Sequence, residues 1–167
     1  MFQQYLEIYK LLETDDLTLV DFFQSQKIDP KPFIDSLNSL YSQANFDKYL
    51  IQDTLTLISD LKNKGYQLGY LSNAENYHYP IIHQRLESLF DFGIISWQVK
   101  IRKPNPKIFA KIFDFTSSLP SEIIFIDDIP ENVLSAQNYG LNAIHFQDPQ
   151  QLKLELSQKF NLFHAKI

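Results

Sequence analysis

Ile123-Ile124-Phe125-Ile126-Asp127-Asp128-Ile129-Pro130-Glu131-Asn132 carries four apolar residues straight into two adjacent carboxylates. An apolar run of this length, bounded by turn chemistry, reads as a strand buried on both faces. Asp127 and Asp128 then stand at its carboxyl end, the edge where open α/β sheets bind their ligands. Two neighbouring carboxylates there suit a hard cation with oxygen ligands, Mg²⁺ above all. Asp-Asp-Ile-Pro also reads as a polar turn that caps the next helix, and the stretch alone leaves both readings open.

Downstream, Pro130 opens a helix through Val133, Leu134 and Ala136 that Gly140 ends, Asn142 to Phe146 is a strand, and Pro149 opens a last helix. Upstream, Lys103-Pro-Asn-Pro106 leads into a helix through Ile108, Phe109, Ile112 and Phe113. Before it come a short strand, Phe92 to Ser96, a helix from Tyr79 to Phe90 opened by Pro80, and a strand, Tyr66 to Leu71, that ends at Ser72-Asn73. Strand and helix alternate from Tyr66 onward, which predicts a parallel sheet with helices on both faces.

Ahead of Tyr66 the spacing is helical throughout. Apolar residues fall at helix intervals from Phe2 to Leu12 and again from Leu17 to Phe23. Asp29-Pro-Lys-Pro32 starts a helix through Phe33, Ile34, Leu37, Leu40 and Tyr41, and another runs from Asp53 to Gly65, a C′ glycine. The chain thus divides into a helical part, residues 1–64, and an α/β part, residues 65–167.

Composition narrows the function. With 167 residues, 44% hydrophobic and 21% charged, the chain has material for one core and a small subdomain. Only four glycines are present and no G-x-G-x-x-G or Walker sequence, which argues against a Gly-rich phosphate loop. A net charge of −5 argues against a nucleic-acid partner. The absence of cysteine removes disulfides, thiolate metal sites and a Cys nucleophile. The first residues do not form a secretory signal, and no apolar run nears the ~20 residues that span a bilayer. The cytoplasm is the default location.

Polar groups gather at three strand ends: Ser72 and Asn73 after the first, Lys103 before the helix that follows the second, Asp127 and Asp128 after the third. Singly, Ser72-Asn73 is a common turn and Lys103 a common solvated residue. Jointly they suit a phosphoryl group and a divalent cation, with hydroxyl and N–H on phosphate oxygens, Lys neutralising charge and carboxylates on the metal.

In this order the motifs resemble those of the haloacid dehalogenase superfamily of Mg²⁺-dependent hydrolases. The likeness is to the branch that holds the phosphatase domain of soluble epoxide hydrolases and bacterial sugar-phosphate phosphatases. Leu-Gly-Tyr-Leu-Ser72-Asn73-Ala-Glu-Asn resembles the family's second motif, Trp-Gln-Val-Lys-Ile-Arg-Lys103-Pro-Asn-Pro its third, and Ile-Ile-Phe-Ile-Asp127-Asp128-Ile-Pro-Glu-Asn132 its fourth. The resemblance covers roughly residues 50–146, and the helical start resembles the family's small cap. It implies a HAD-like Rossmannoid core and hydrolysis of a small phosphorylated metabolite. Ser72 and Asn73 would contact the transferred group, Lys103 would neutralise nucleophile and phosphoryl oxygens, Asp127 or Asp128 would hold Mg²⁺, and Asn132 would brace the loop.

One family motif has no counterpart. Asp-x-Asp, at the end of a first central strand, supplies the nucleophile and the general acid/base. Thr14-Asp15-Asp16-Leu17-Thr18 has Thr in the nucleophile's place, and after Leu17 to Asp21 the second acid's place is taken by Phe23. Both strings fall where cap helices are expected, as though the chain begins inside the cap. An aspartyl-phosphate route needs that carboxylate. The expectation is negligible phosphatase activity and weak or lost Mg²⁺ binding. A sheet without its central strand either closes up or takes a filler, which would be a separately supplied segment, a protein partner or a second copy. The alternative class is a pseudoenzyme that binds a protein. His78, His83, His145 and His164 show no metal spacing, His145 reads as structural, Trp97 as core or cap contact, and Tyr77 and Tyr79 flank the family's substrate entrance or lie on the surface.

Overall fold

The computed structural model describes residues 10–14, 16–40, 48, 50–76, 83–84 and 86–163. It divides the chain into two compact units, Met1–Gln52 with Gly69–Arg102, and Asp53–Leu68 with Lys103–Ile167. Among the described residues are four strands, all in parallel pairs.

In the first unit, α1 (Leu19–Ser25) starts at Thr18, whose hydroxyl accepts from the Asp21 N–H while the Asp21 carboxylate reaches back to the Thr18 N–H. This reciprocal capping box satisfies two otherwise orphan donors. It places the acidic string around Asp21 on a helix, as the sequence predicts. α2 (Lys31–Leu40) starts where expected, with Asp29 accepting from the Lys31 N–H at 3.0 Å. Phe23 and Phe33 meet with ring centroids 5.1 Å apart. The end of an earlier helix is tied down by Glu13, 3% exposed, which accepts from Arg102 Nε at 2.5 Å.

β1 (Gly69–Ser72) and β2 (Phe92–Ile95) form the first parallel pair, in register Gly69↔Phe92 through Ser72↔Ile95. β1 starts three residues later than Tyr66, the residue the apolar pattern suggests. Pairing begins only where Phe92 lays its ring over Gly69, a position at which any Cβ would collide with it. Reciprocally, Tyr70 lies over Gly93. Ile94 and Ile95 are 2% exposed, and a short helix, α3 (Ser96–Val99), follows β2 directly.

In the second unit, α4 (Gln52–Asn63) leads to Gly65 at φ +85°, the left-handed turn expected of a C′ glycine. The helix expected after Lys103-Pro-Asn-Pro106 forms as a 3₁₀ helix over Pro106–Asp114, capped by the Asn105 side chain on the Lys107 N–H. β3 (Ile124–Asp127) pairs with β4 (Asn142–His145), and α5 (Pro130–Tyr139) connects them, ending on Gly140 at φ +103°. α6 (Pro149–Phe160) is capped by Asp148. Leu57 and Leu61 of α4, Ile144 of β4 and Leu152 and Leu156 of α6 make one core cluster. Ile108 and Phe109 are fully buried, and Phe109 meets Phe125 edge-on at 5.2 Å. Burying each such side chain contributes roughly 1.5–3 kcal/mol.

β3 is covered on both faces, but unevenly. Phe125 and Asp127 are buried on one face, while on the other Ile124 packs against the cluster that holds Ile144, and Ile126 stays 37% exposed. Successive side chains of a strand point to opposite faces, and only the end of the second face is left open. The first and third strands belong to separate two-stranded sheets, so the direct pairing considered for them is absent among the described residues.

Candidate functional site

β3 ends on Asp127, and its pleat turns that carboxylate inward, where it is 7% exposed. Three donors converge on it. Lys103 Nζ donates to Oδ2 at 2.6 Å, the Ile129 N–H donates to Oδ1 at 2.9 Å, and Asn132 Nδ2 donates to Oδ1 at 3.0 Å. Pro130 at the first turn of α5 fixes the helix start and puts Asn132, 2% exposed, one turn in. Lys103, 9% exposed, sits 24 residues upstream with its ammonium 5.6 Å from the Phe125 ring centroid. The Ser135 hydroxyl of α5 donates to the Pro104 carbonyl, which ties the loop that carries Lys103 to the same helix.

The structure therefore brings Lys103, Asp127 and Asn132 together. Asp128 stands beside them with an exposed side chain. Its carbonyl accepts from His145 Nε2 at 3.1 Å, so that nitrogen carries the proton. His145, paired in register with Asp127 on β4, thus helps hold the loop after β3. Lys103, Asp127, Asp128, Asn132 and His145 all belong to the second unit.

Ser72 and Asn73 belong to the first unit, at the carboxyl end of β1. The residue that sets their loop went unnoticed in the sequence. Ser96, fully buried, accepts from the Ala74 N–H and donates to the Ala74 carbonyl, both at 3.1 Å. A hydroxyl matched to both backbone groups of one residue fixes the chain right after Asn73. The only clue was a small polar residue closing the run Phe-Gly-Ile-Ile. Tyr77, His78, Tyr79, His164 and the Asp15 of the Thr14 to Thr18 string lie outside the described residues.

The donor set can be tested against Mg²⁺. A carboxylate offers about four lone-pair sites. Asp127 gives two at Oδ1 and one at Oδ2, and its remaining site adjoins an ammonium at 2.6 Å. A dication there would face a like charge at contact distance. No group of three or more His, Cys, Asp or Glu side chains suited to a metal occurs among the described residues. A Mg²⁺ ion here would draw on that one open site of Asp127 and on the exposed Asp128 carboxylate, with water completing its shell.

A family model described as haloacid dehalogenase-like hydrolase matches residues 3–146. The bifunctional epoxide hydrolase 2 of Rattus norvegicus is 29% identical over 129 residues, 74% of this chain and 23% of that protein. The glyceraldehyde 3-phosphate phosphatase of Pyrococcus furiosus is 28% identical over 102 residues, 59% of this chain and 42% of that protein. The chain thus spans less than half the length of these two curated relatives. Among solved structures, a HAD family enzyme of Bacteroides thetaiotaomicron, held with magnesium and inorganic phosphate, superposes with a TM-score of 0.62 at 22% identity, over 90% of this chain and 83% of that one. At that identity the likeness speaks for the fold. Together with the Lys103–Asp127–Asn132 cluster closing the parallel strand β3, the match along most of its length makes this chain a member of the haloacid dehalogenase-like hydrolase family.

Proposed function

We propose that this chain is of the phosphatase type within its family and that, alone, it does not turn over phosphate esters. Residues 1–64 serve as the cap part and residues 65–167 as the core part. The roles carried by its side chains are those of a half-built phosphoryl site. Lys103 supplies the cation for nucleophile and phosphoryl oxygens, Ser72 and Asn73 hold the transferred group, Asp127 and Asp128 supply metal oxygens, and Asn132 braces Asp127.

The observation that carries this reading is the closed pairing of Lys103 with Asp127, at 2.6 Å with side chains 11% and 4% exposed. The ammonium is already neutralised by the carboxylate that would otherwise face a metal. The sequence holds no Asp-x-Asp to supply the covalent step, in which a carboxylate attacks phosphorus and the alcohol departs. Mg²⁺, which would polarise phosphoryl oxygens when bound, is expected to bind weakly or not at all, for the lone-pair reason given above. The substrate class is a small phosphorylated metabolite, as the name of the Pyrococcus furiosus relative suggests. With a net charge of −5 no nucleic-acid partner is expected, and no helix among the described residues is long and apolar enough to cross a membrane. We place the chain in the cytoplasm.

The test is hydrolysis of p-nitrophenyl phosphate with and without Mg²⁺, alongside Asp127→Asn. The expected rate equals that of buffer for both chains. Robust Mg²⁺-dependent release that Asp127→Asn abolishes would overturn the proposal.

A second reading rests on the Asp-x-Asp that the sequence lacks while its three other motifs are present. A strand supplied upstream or by another chain would restore the acid, giving an active Mg²⁺ phosphatase. A version extended by the upstream coding sequence should then hydrolyse p-nitrophenyl phosphate. If it stays inactive but the chain captures a second copy or a protein in native mass spectrometry, the pseudoenzyme role stands instead.

A further inference from the structure

Tyr70 of β1 holds its hydroxyl 2.6 Å from His83 Nδ1, and His83 Nε2 lies 2.7 Å from Glu87 Oε1. An ionised carboxylate only accepts, so Nε2 carries a proton. In the neutral ring Nδ1 is then the acceptor and the Tyr70 O–H the donor. The phenol is held in place: its ring meets Phe90 edge-on at 5.6 Å and lies across Gly93, its register partner, where any Cβ would run into it. Hydroxyl, imidazole and carboxylate thus stand in the order of an activated nucleophile, its base and the group that orients the base. A phenol suits this order better than an alkyl alcohol. A phenol gives up its proton more readily than an alkyl alcohol does. Tyr70 is half-buried, while the His83 and Glu87 side chains are 32% and 61% exposed.

We propose that Tyr70, His83 and Glu87 form a relay that accepts an acyl group from small aryl esters onto the Tyr70 oxygen. Tyr70 Oη attacks the ester carbonyl carbon while its proton passes to His83 Nδ1. The bond from that carbon to the aryl oxygen breaks, and the departing aryl oxide takes the proton from Nδ1. The products are an acyl-tyrosine and a free phenol, with no change of oxidation state. Glu87 holds Nε2–H throughout and stabilises the transient imidazolium. All three residues lie outside the cluster around Lys103, so this inference stands apart from the phosphatase reading.

Tyr66 provides a control within the same chain, being 42% exposed and outside the relay. The full chain would be incubated with p-nitrophenyl acetate near neutral pH, and acetyl groups located by peptide mass spectrometry. We expect Tyr70 to acquire acetyl at least ~10-fold faster than Tyr66, since general-base assistance is worth about 10²–10⁴-fold in full. His83→Gln should bring Tyr70 down to the Tyr66 rate, and Glu87→Gln should slow it less, while far-ultraviolet circular dichroism reports whether each variant remains folded. Labelling of Tyr66 as fast as Tyr70, or a Tyr70 rate unchanged in His83→Gln, overturns the relay.

Discussion

Lys103 and Asp127 allow a sharp energetic test of the cluster. Their side chains are 11% and 4% exposed and 2.6 Å apart. Lys103→Met keeps the aliphatic stem near Phe125 but leaves the Asp127 carboxylate buried with only its two remaining donors, the Ile129 N–H and Asn132. Asp127→Asn takes away the carboxylate that stands 2.6 Å from the buried Lys103 ammonium. Breaking a buried pair from one side costs about 3–5 kcal/mol. With a urea m-value of about 2 kcal/mol/M, each single substitution should move the unfolding midpoint down by roughly 1.5–2.5 M. Lys103→Met combined with Asp127→Asn removes both charges and should cost at least about 2 kcal/mol less than the two singles summed, because neither buried charge then lacks a counterpart. Urea unfolding followed by far-ultraviolet circular dichroism measures all four chains. Singles within about 0.3 M of the parent at the same m-value, or a double substitution equal to the sum, would refute the pairing as the centre of the site.

Ser96→Ala leaves both polar groups of Ala74 without their buried partner and should cost about 2–4 kcal/mol; faster hydrogen exchange at the Ala74 amide, with the second unit's amides unchanged, is the local readout. Gly93→Ala should destabilise by about 1–3 kcal/mol because the new methyl meets the Tyr70 ring, and adding Tyr70→Ala should recover part of that loss in the same urea assay. The Lys159 ammonium, followed by Gln151, holds the Glu155 carboxyl below its ordinary range. A depressed folded value means stability that is complete above the ordinary Glu range and lost as pH falls through the folded one. Lys159→Met should therefore cost about 0.3–0.5 kcal/mol at neutral pH, as exposed helix pairs do, and nothing in acid; a deficit that persists at low pH would contradict this.

Much of the fold was legible because local chemistry and tertiary packing agree. Pro130 and Gly140 bound α5 as written, Gly65 takes the positive φ that its place after α4 requires, and Thr18 and Asp21 make a helix start rather than a strand end. Four apolar residues in a row carry no alternation, so the sequence could not show that Ile126 would stay 37% exposed at the end of a face on which Ile124 and Ile144 are packed. The length of β1 was set by the fit of Phe92 over Gly69, a contact between residues far apart in sequence. The site was legible as a list of groups at strand ends. Its state was not, because the ammonium of Lys103 meets a carboxylate 24 residues away. Ser96 escaped notice because nothing local marks a hydroxyl that serves another segment's backbone.

Asp127 and Asp128 are neighbours in sequence, yet their side chains lead different lives. One is buried under three donors and the other is exposed. A cation bound by both must therefore draw on the single lone-pair site left at Asp127 Oδ2, beside the Lys103 ammonium. That site becomes usable only if a second carboxylate attracts the ammonium away. On our proposal the restored nucleophile would be such a group, so acid and metal should reinforce each other's binding. Linkage then requires that Mg²⁺ tighten the association of whatever segment carries the acid by the same factor as that segment tightens Mg²⁺. Calorimetric titration of Mg²⁺ into this chain and into the upstream-extended version measures the factor directly, and equal affinities in the two would break the coupling.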